Sequence, residues 1–132
     1  MSESKAQVII PSNIKPPPEE HEVSAAWILA RYYNCTITFL PKLEGYKLKS
    51  ADFSMQGLLW ELKSPIGNSK TTISNNLINA KQQSPNIIFD ARRTKLADTK
   101  IEKELVKMLA AKKSISKLIL ITKDEKVLAI GA

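Results

Sequence analysis

The sequence predicts an α/β fold: a two- or three-layer sandwich around a mixed central sheet. Three observations over its 132 residues carry that prediction. Segments with apolar residues spaced three and four apart alternate with short β-branched runs. Pro, Gly and Asn punctuate most of the junctions between them. A short continuous apolar run, Ile87-Ile88-Phe89, has the pattern of a strand buried on both faces. The predicted order is α-β-β-β-α-β-α-β-β.

Residues 1–18 read as a flexible Pro-rich leader, with Pro16-Pro17-Pro18 favouring extended polyproline geometry, and residues 19–132 as a single domain. Pro18 suits the entry to a helix, and Glu19, Glu20 and Glu22 suit its positive end. That helix is predicted from Glu19 to Tyr33, with Val23, Ala26, Trp27 and Ala30 as its apolar stripe and Asn34 as its stop. Cys35 to Leu40 alternates and is rich in β-branched residues, so it reads as a strand ended by Pro41. Leu43 to Lys49, containing Gly45, reads as an exposed loop.

Ser50–Met55 and Leu58–Ser64 are predicted as antiparallel strands joined by a two-residue Gln56-Gly57 turn. A helix follows from Thr71 to Gln83, capped by Ser69 or Thr71 and packed through Ile73, Leu77 and Ala80. Ser84-Pro85 stops it, and Asn86–Asp90 is the buried strand. A third helix is predicted from Thr99 to Lys113, and Lys117–Thr122 with Val127–Ile130 form a closing hairpin.

Composition narrows the chemistry. A single Cys35 excludes an internal disulfide and fits a small buried hydrophobe, and a single His21 excludes a two-histidine ribonuclease mechanism or a multi-His zinc site. No apolar run is long enough to span a bilayer. The first residues lack the layout of a secretion signal, so the chain reads as cytosolic or as a piece of a longer carrier. Net charge is +7 and unevenly spread: residues 1–61 hold 6 Lys/Arg against 7 Asp/Glu, and residues 62–132 hold 14 against 6. A basic second half suits a polyanionic substrate.

Asp52 and Trp60-Glu61-Leu62-Lys63 are the most informative residues. Charged side chains on apolar strands need partners or ligands. Glu61 and Lys63 are two apart on a strand and share a face. Counting out from Gln56-Gly57 pairs Met55 with Leu58, Ser54 with Leu59, Phe53 with Trp60, and so Asp52 with Glu61. Two carboxylates placed so close favour a cation between them, and Mg²⁺ commonly takes one or two carboxylates with water and substrate phosphate.

The element order, with Asp52 and Glu61-Leu62-Lys63, resembles the PD-(D/E)XK restriction-endonuclease-like superfamily, whose core is α-β-β-β-α-β. The resemblance covers roughly residues 19 to 90 and departs at Ser50-Ala51, where the family often has Pro before its Asp. It implies that Asp52 and Glu61 bind Mg²⁺ or Mn²⁺, that Lys63 orients or activates water, and that Glu22 joins the site from the first helix. The wider pattern of His21-Glu22, Asp52-Phe53, Trp60-Glu61-Leu62-Lys63-Ser64-Pro65, Gly67-Asn68, Lys81-Gln82-Gln83-Ser84 and Ile87-Ile88-Phe89-Asp90 resembles the C-terminal toxin domains of contact-dependent growth inhibition systems. That resemblance implies a nuclease, with tRNA as the favoured substrate. It also implies a cognate immunity protein and delivery from a cell-surface carrier into a target bacterial cytoplasm.

Substrate contacts are expected from Gln83 and Lys81 on the second helix, from Ser64 after the catalytic strand, and from Arg92 and Arg93 at the end of the buried strand. Two other readings stand beside this one. A metal-independent ribonuclease toxin of the barnase/EndoU/colicin/RelE-like group would use Lys63, His21 and hydroxyls such as Thr71 or Thr72. A non-catalytic module would bind nucleic acid or a partner through the basic half.

Overall fold

The computed structural model describes residues 5–41, 51–69, 71–111 and 114–131. Among them the chain runs β1 (Gln7–Ile9), α1 (Glu20–Tyr33), β2 (Thr36–Phe39), β3 (Phe53–Met55), β4 (Leu58–Lys63), α2 (Thr72–Ala80), β5 (Asn86–Asp90), α3 (Asp98–Ala111), β6 (Lys117–Ile121) and β7 (Val127–Ile130). The strands form one mixed sheet in chain order, β1 to β7. β1 runs parallel to β2, β2–β3–β4 is antiparallel, β4–β5–β6 is parallel, and β7 returns antiparallel to β6.

The sandwich has three layers. Ile88, Ile119 and Ile121 pack with α1 through Ala25, Ala26, Leu29 and Ala30. Their strand neighbours Ile87, Phe89, Leu118 and Leu120 pack with α2 and α3 through Ile73, Leu77, Ile101 and Leu105. Alternation along each strand sends successive residues to opposite faces, so the sheet has an apolar layer on each side. β5 is buried at every position, as its sequence predicts.

Local chemistry sets the boundaries. Asn34 ends α1 in the left-handed region, φ 51°, and its N–H bonds the Ala30 carbonyl. The β3–β4 hairpin has the predicted register, Met55 with Leu58, Ser54 with Leu59 and Phe53 with Trp60. Its turn residues Gln56 and Gly57 both have positive φ, 52° and 79°, which is the two-residue turn that matches strand twist. α2 ends at Ala80 rather than Gln83 because the last turn tightens. Gln82 and Gln83 donate to carbonyls three residues back, Asn79 and Ala80, just ahead of Pro85.

Two expectations are corrected here. Residues 7–9, inside the stretch read as a leader, form β1 and pair with Thr36, Ile37 and Thr38. The strand predicted from Ser50 starts at Phe53. The predicted loop over Leu43 to Lys49 and the end of the third helix at Lys113 lie outside the described residues.

The topology places the helix starts together. α2 leaves the C-terminal end of β4 and α3 that of β5. The first turn of α1 reaches the same edge, where Arg92, just past β5, binds Ser24 Oγ at 2.8 Å. Ligands of α/β sheets gather outside such strand ends.

Candidate functional site

Glu61 and Lys63 occupy β4 in register with Ile87 and Phe89 of β5. Lys63 Nζ stands 3.4 Å from Glu61 Oε2, so the two share a face, with the acid almost fully buried and the ammonium 22% exposed. Few carboxylates are buried this deeply without a compensating charge, and Lys63 supplies one.

Asp52 is buried too, at 7% exposure. Its position differs from simple hairpin counting. Phe53 pairs with Trp60, and the Asp52 N–H also bonds the Trp60 carbonyl at 2.9 Å. Two residues of one strand thus face one of the other, which is the count of a β-bulge, and a bulge re-aims the side chain it carries. Asp52 is therefore not simply opposite Glu61. Its Oδ2 accepts the Leu62 N–H at 2.7 Å. It also lines a cleft of about 170 Å³ with Glu19, Glu22, Phe39, Leu40 and Pro16 to Pro18.

The structure thus brings Asp52 and Glu22 to one cleft on the α1 side, and Glu61 and Lys63 to one face on the α2 side. The pairs meet at the backbone of β4. By standard bond lengths the Leu62 nitrogen lies ~2.4 Å from Glu61 Cα, so Asp52 Oδ2 lies within ~5 Å of that Cα. Glu61 leaves β4 on the opposite face, so the two carboxylates flank the strand and do not share one side of it. Among the described residues no three His, Cys, Asp or Glu side chains gather as a ready ligand set. Asp52 and Glu61 are carboxylates, the donor type that Mg²⁺ takes one or two of alongside water and phosphate. Glu22 also caps α1, where its Oε1 accepts the Glu19 N–H at 2.8 Å.

Arg92 is held by the protein. Nε and Nη2 grip Asp90 at 2.9 and 2.8 Å, and Nη2 also reaches the His21 carbonyl at 3.1 Å. Asp90 raises the Arg92 pKa further by accepting these hydrogen bonds, against an opposing effect of burial. Asp90 has no side-chain exposure, and sequence reading assigned it no role, although its two-residue spacing from Arg92 is a legible signal. Ser64 Oγ donates to Asp90 Oδ2 at 3.2 Å, so it too faces into the protein. Arg93 is exposed, and its Nη1 lies 2.7 Å from His21 Nε2, while His21 Nδ1 lies 3.3 Å from Glu19 Oε2. Lys81 and Gln83 sit just beyond the C-terminal end of α2, away from Lys63, Arg92 and Arg93. Ser84 Oγ and Asn86 Nδ2 anchor that turn on the Leu59 carbonyl, at 2.7 and 3.1 Å. Lys81 and Gln83 therefore flank the start of β4 rather than its acid-bearing end.

A larger cleft of about 450 Å³, lined by Tyr33, Leu58, Trp60, Leu109, Ile119 and Ile130, contains none of these residues. It is mainly apolar and lies toward the opposite ends of the strands.

A family model described as the contact-dependent growth inhibition CdiA C-terminal domain matches residues 49–127, which hold Asp52, Glu61, Lys63 and Arg92. Among solved structures, the CdiA-CT/CdiI toxin and immunity complex from Burkholderia pseudomallei is similar, with a TM-score of 0.61 and 18% identity. The match covers 94% of this chain and 98% of that one, and at this identity the likeness is one of fold. No curated protein matches the chain.

Proposed function

This chain belongs to the contact-dependent growth inhibition CdiA C-terminal domain family, and within it we propose that the chain is a metal-dependent endonuclease toxin with tRNA as favoured substrate. The observation that carries this reading is the buried Glu61 beside Lys63 on β4, with Asp52 bonded to the next amide of the same strand. The order α1-β2-β3-β4-α2-β5 agrees with a restriction-endonuclease-like core.

Asp52 and Glu61 are the residues that would hold Mg²⁺ or Mn²⁺. When bound, the metal supplies Lewis-acid polarisation of the phosphodiester and lowers the pKa of a water. Lys63 places a positive charge where negative charge develops on the phosphate oxygens, at a half-buried position where water screens it less than in bulk. Glu22 extends the acidic cleft from α1. Arg93 seats the backbone from the end of β5, and Lys81 and Gln83 contact it along the start of β4. Arg92 and Ser64, which face Asp90, support the site from within. A cognate immunity protein neutralises the domain, as the pairing in the Burkholderia complex suggests, and the toxin acts inside the target cell after release from its carrier.

The test is cleavage of total tRNA, and of DNA in parallel, with Mg²⁺, with Mn²⁺ and with EDTA. Cleavage is expected only with metal. Glu61→Gln and Lys63→Ala are expected to lose at least ~100-fold in rate while the melting curve stays two-state. Cleavage that persists in EDTA would instead establish the metal-independent ribonuclease. No cleavage of either nucleic acid would leave a binding module.

A further inference from the structure

We infer that Arg92 is a positioning residue that registers the first turn of α1 against the acid-bearing strands and makes no contact with substrate. The inference rests on the nuclease reading of the same site. Its basis is a count of donors. A guanidinium has five N–H groups. Nε and one N–H of Nη2 go to Asp90, the other N–H of Nη2 goes to the His21 carbonyl, and one of Nη1 goes to Ser24 Oγ. The remaining N–H of Nη1 belongs to the side that faces Glu125 Oε1, 3.9 Å away. Nothing of the fork is left to clasp a phosphate in the bidentate manner that makes arginine useful there.

What the fork joins is specific. His21 and Ser24 flank Glu22 on α1. Asp90 ends β5 and accepts from Ser64, the residue after Lys63. The Arg92 backbone N–H also bonds Asp90 Oδ1 at 3.1 Å, which fixes the carboxylate from a second direction. One ion pair therefore ties together the helix carrying Glu22 and the end of the strand carrying Glu61 and Lys63. Its loss would let α1 shift relative to Asp52, across the cleft that Glu22 and Asp52 share.

The experiment compares wild type with Arg92→Lys, which keeps the charge and loses the fork, and with Ser24→Ala, a milder change that releases only the α1 end. Steady-state cleavage of tRNA is expected to show kcat lower by between about ten- and a hundredfold in Arg92→Lys. KM is expected to stay within about twofold, with the salt dependence of binding unaltered. Ser24→Ala should fall in the same direction by less. Adding Glu22→Gln to Arg92→Lys should cost far less than Glu22→Gln costs alone, because both act on one placement.

A raised KM together with a salt slope shallower by about one would mean direct phosphate contact and overturn the inference. So would unchanged kcat per folded molecule in both variants, or fully additive losses. Wild-type cleavage is the control that separates this inference from the functional reading. If wild type does not cut, the nuclease assignment is what has failed. Amide exchange over residues 20–24 then decides the latch: faster exchange in Arg92→Lys supports it, and unchanged exchange overturns it.

Discussion

Replacing Asp90 by Ala should be among the most damaging single changes in this fold. The Asp90 side chain has no exposure and that of Arg92 only 15%. The carboxylate accepts from Ser64 Oγ, Arg92 N, Arg92 Nε and Arg92 Nη2. Summing four such bonds would overstate the loss, since Arg92 keeps Ser24 and the His21 carbonyl. The dominant cost is the guanidinium left in a poorly hydrated site without its anion, and breaking one side of a buried pair costs about 3–5 kcal/mol. Set against a total stability of roughly 5–15 kcal/mol, that is a large fraction. For a domain of this size it corresponds to a fall in Tm of roughly 10–20 °C. Urea titration followed by circular dichroism measures it, with Asp90→Ala/Arg92→Met as the companion. The double variant removes the stranded charge and should recover at least ~1 kcal/mol of the loss. A single-mutant loss below about 1 kcal/mol, or a double variant no better than the single, would refute the claim that this pair is enclosed and mutually dependent.

Gly57→Ala should lower stability by about 1 kcal/mol in urea titration, because an L side chain resists φ near +79° although open space surrounds the Cβ. An unchanged midpoint would contradict the turn geometry. Burial pushes the Cys35 thiol pKa up, so at pH 8 a disulfide reagent should modify it more slowly in the folded chain than in urea. Tyr33 is also raised, first by desolvation and then by Tyr32 and Cys35. The unfolded chain therefore ionises first, and stability should fall as pH rises above the ordinary tyrosine value and on through the folded one. Tyr33→Phe should flatten that slope in a pH series of melting temperatures. Glu61→Gln should abolish cleavage with the melt still cooperative, and an active Glu61→Gln would remove the central acid from the proposal.

Much of the fold was legible because its signals are local. The apolar run Ile87-Ile88-Phe89 marks β5, Asn34 marks the end of α1, and Gln56-Gly57 sets a hairpin register that needs only counting. The rest depends on distant partners. β1 is three residues long, and its place depends on pairing with β2 and on Val8 packing into the α1-side core. The bulge at Asp52 leaves no mark in the sequence, since Asp-Phe suits an ordinary ladder equally well, and this is what turned the expected Asp52–Glu61 pairing into a meeting at the Leu62 amide. Arg92 resembled a substrate contact because counting charge does not reveal that Ser24 and the His21 carbonyl, 68 and 71 residues earlier, claim its donors. Lys81 and Gln83 lie just past the far end of the helix that starts beside β4, a distinction that follows from helix direction and not from composition.

The shared edge where the helices begin has a consequence of its own. Aligned peptide dipoles leave fractional positive charge at each helix start. α1 offsets its share with Glu20 and Glu22, and α3 with Asp98, whereas α2 has no acid in its first turn. α2 therefore keeps an un-neutralised positive end, beside the end of β4. An anion seated directly against that turn would meet amide N–H groups that no side-chain acid neutralises, a pull that ends within the turn itself.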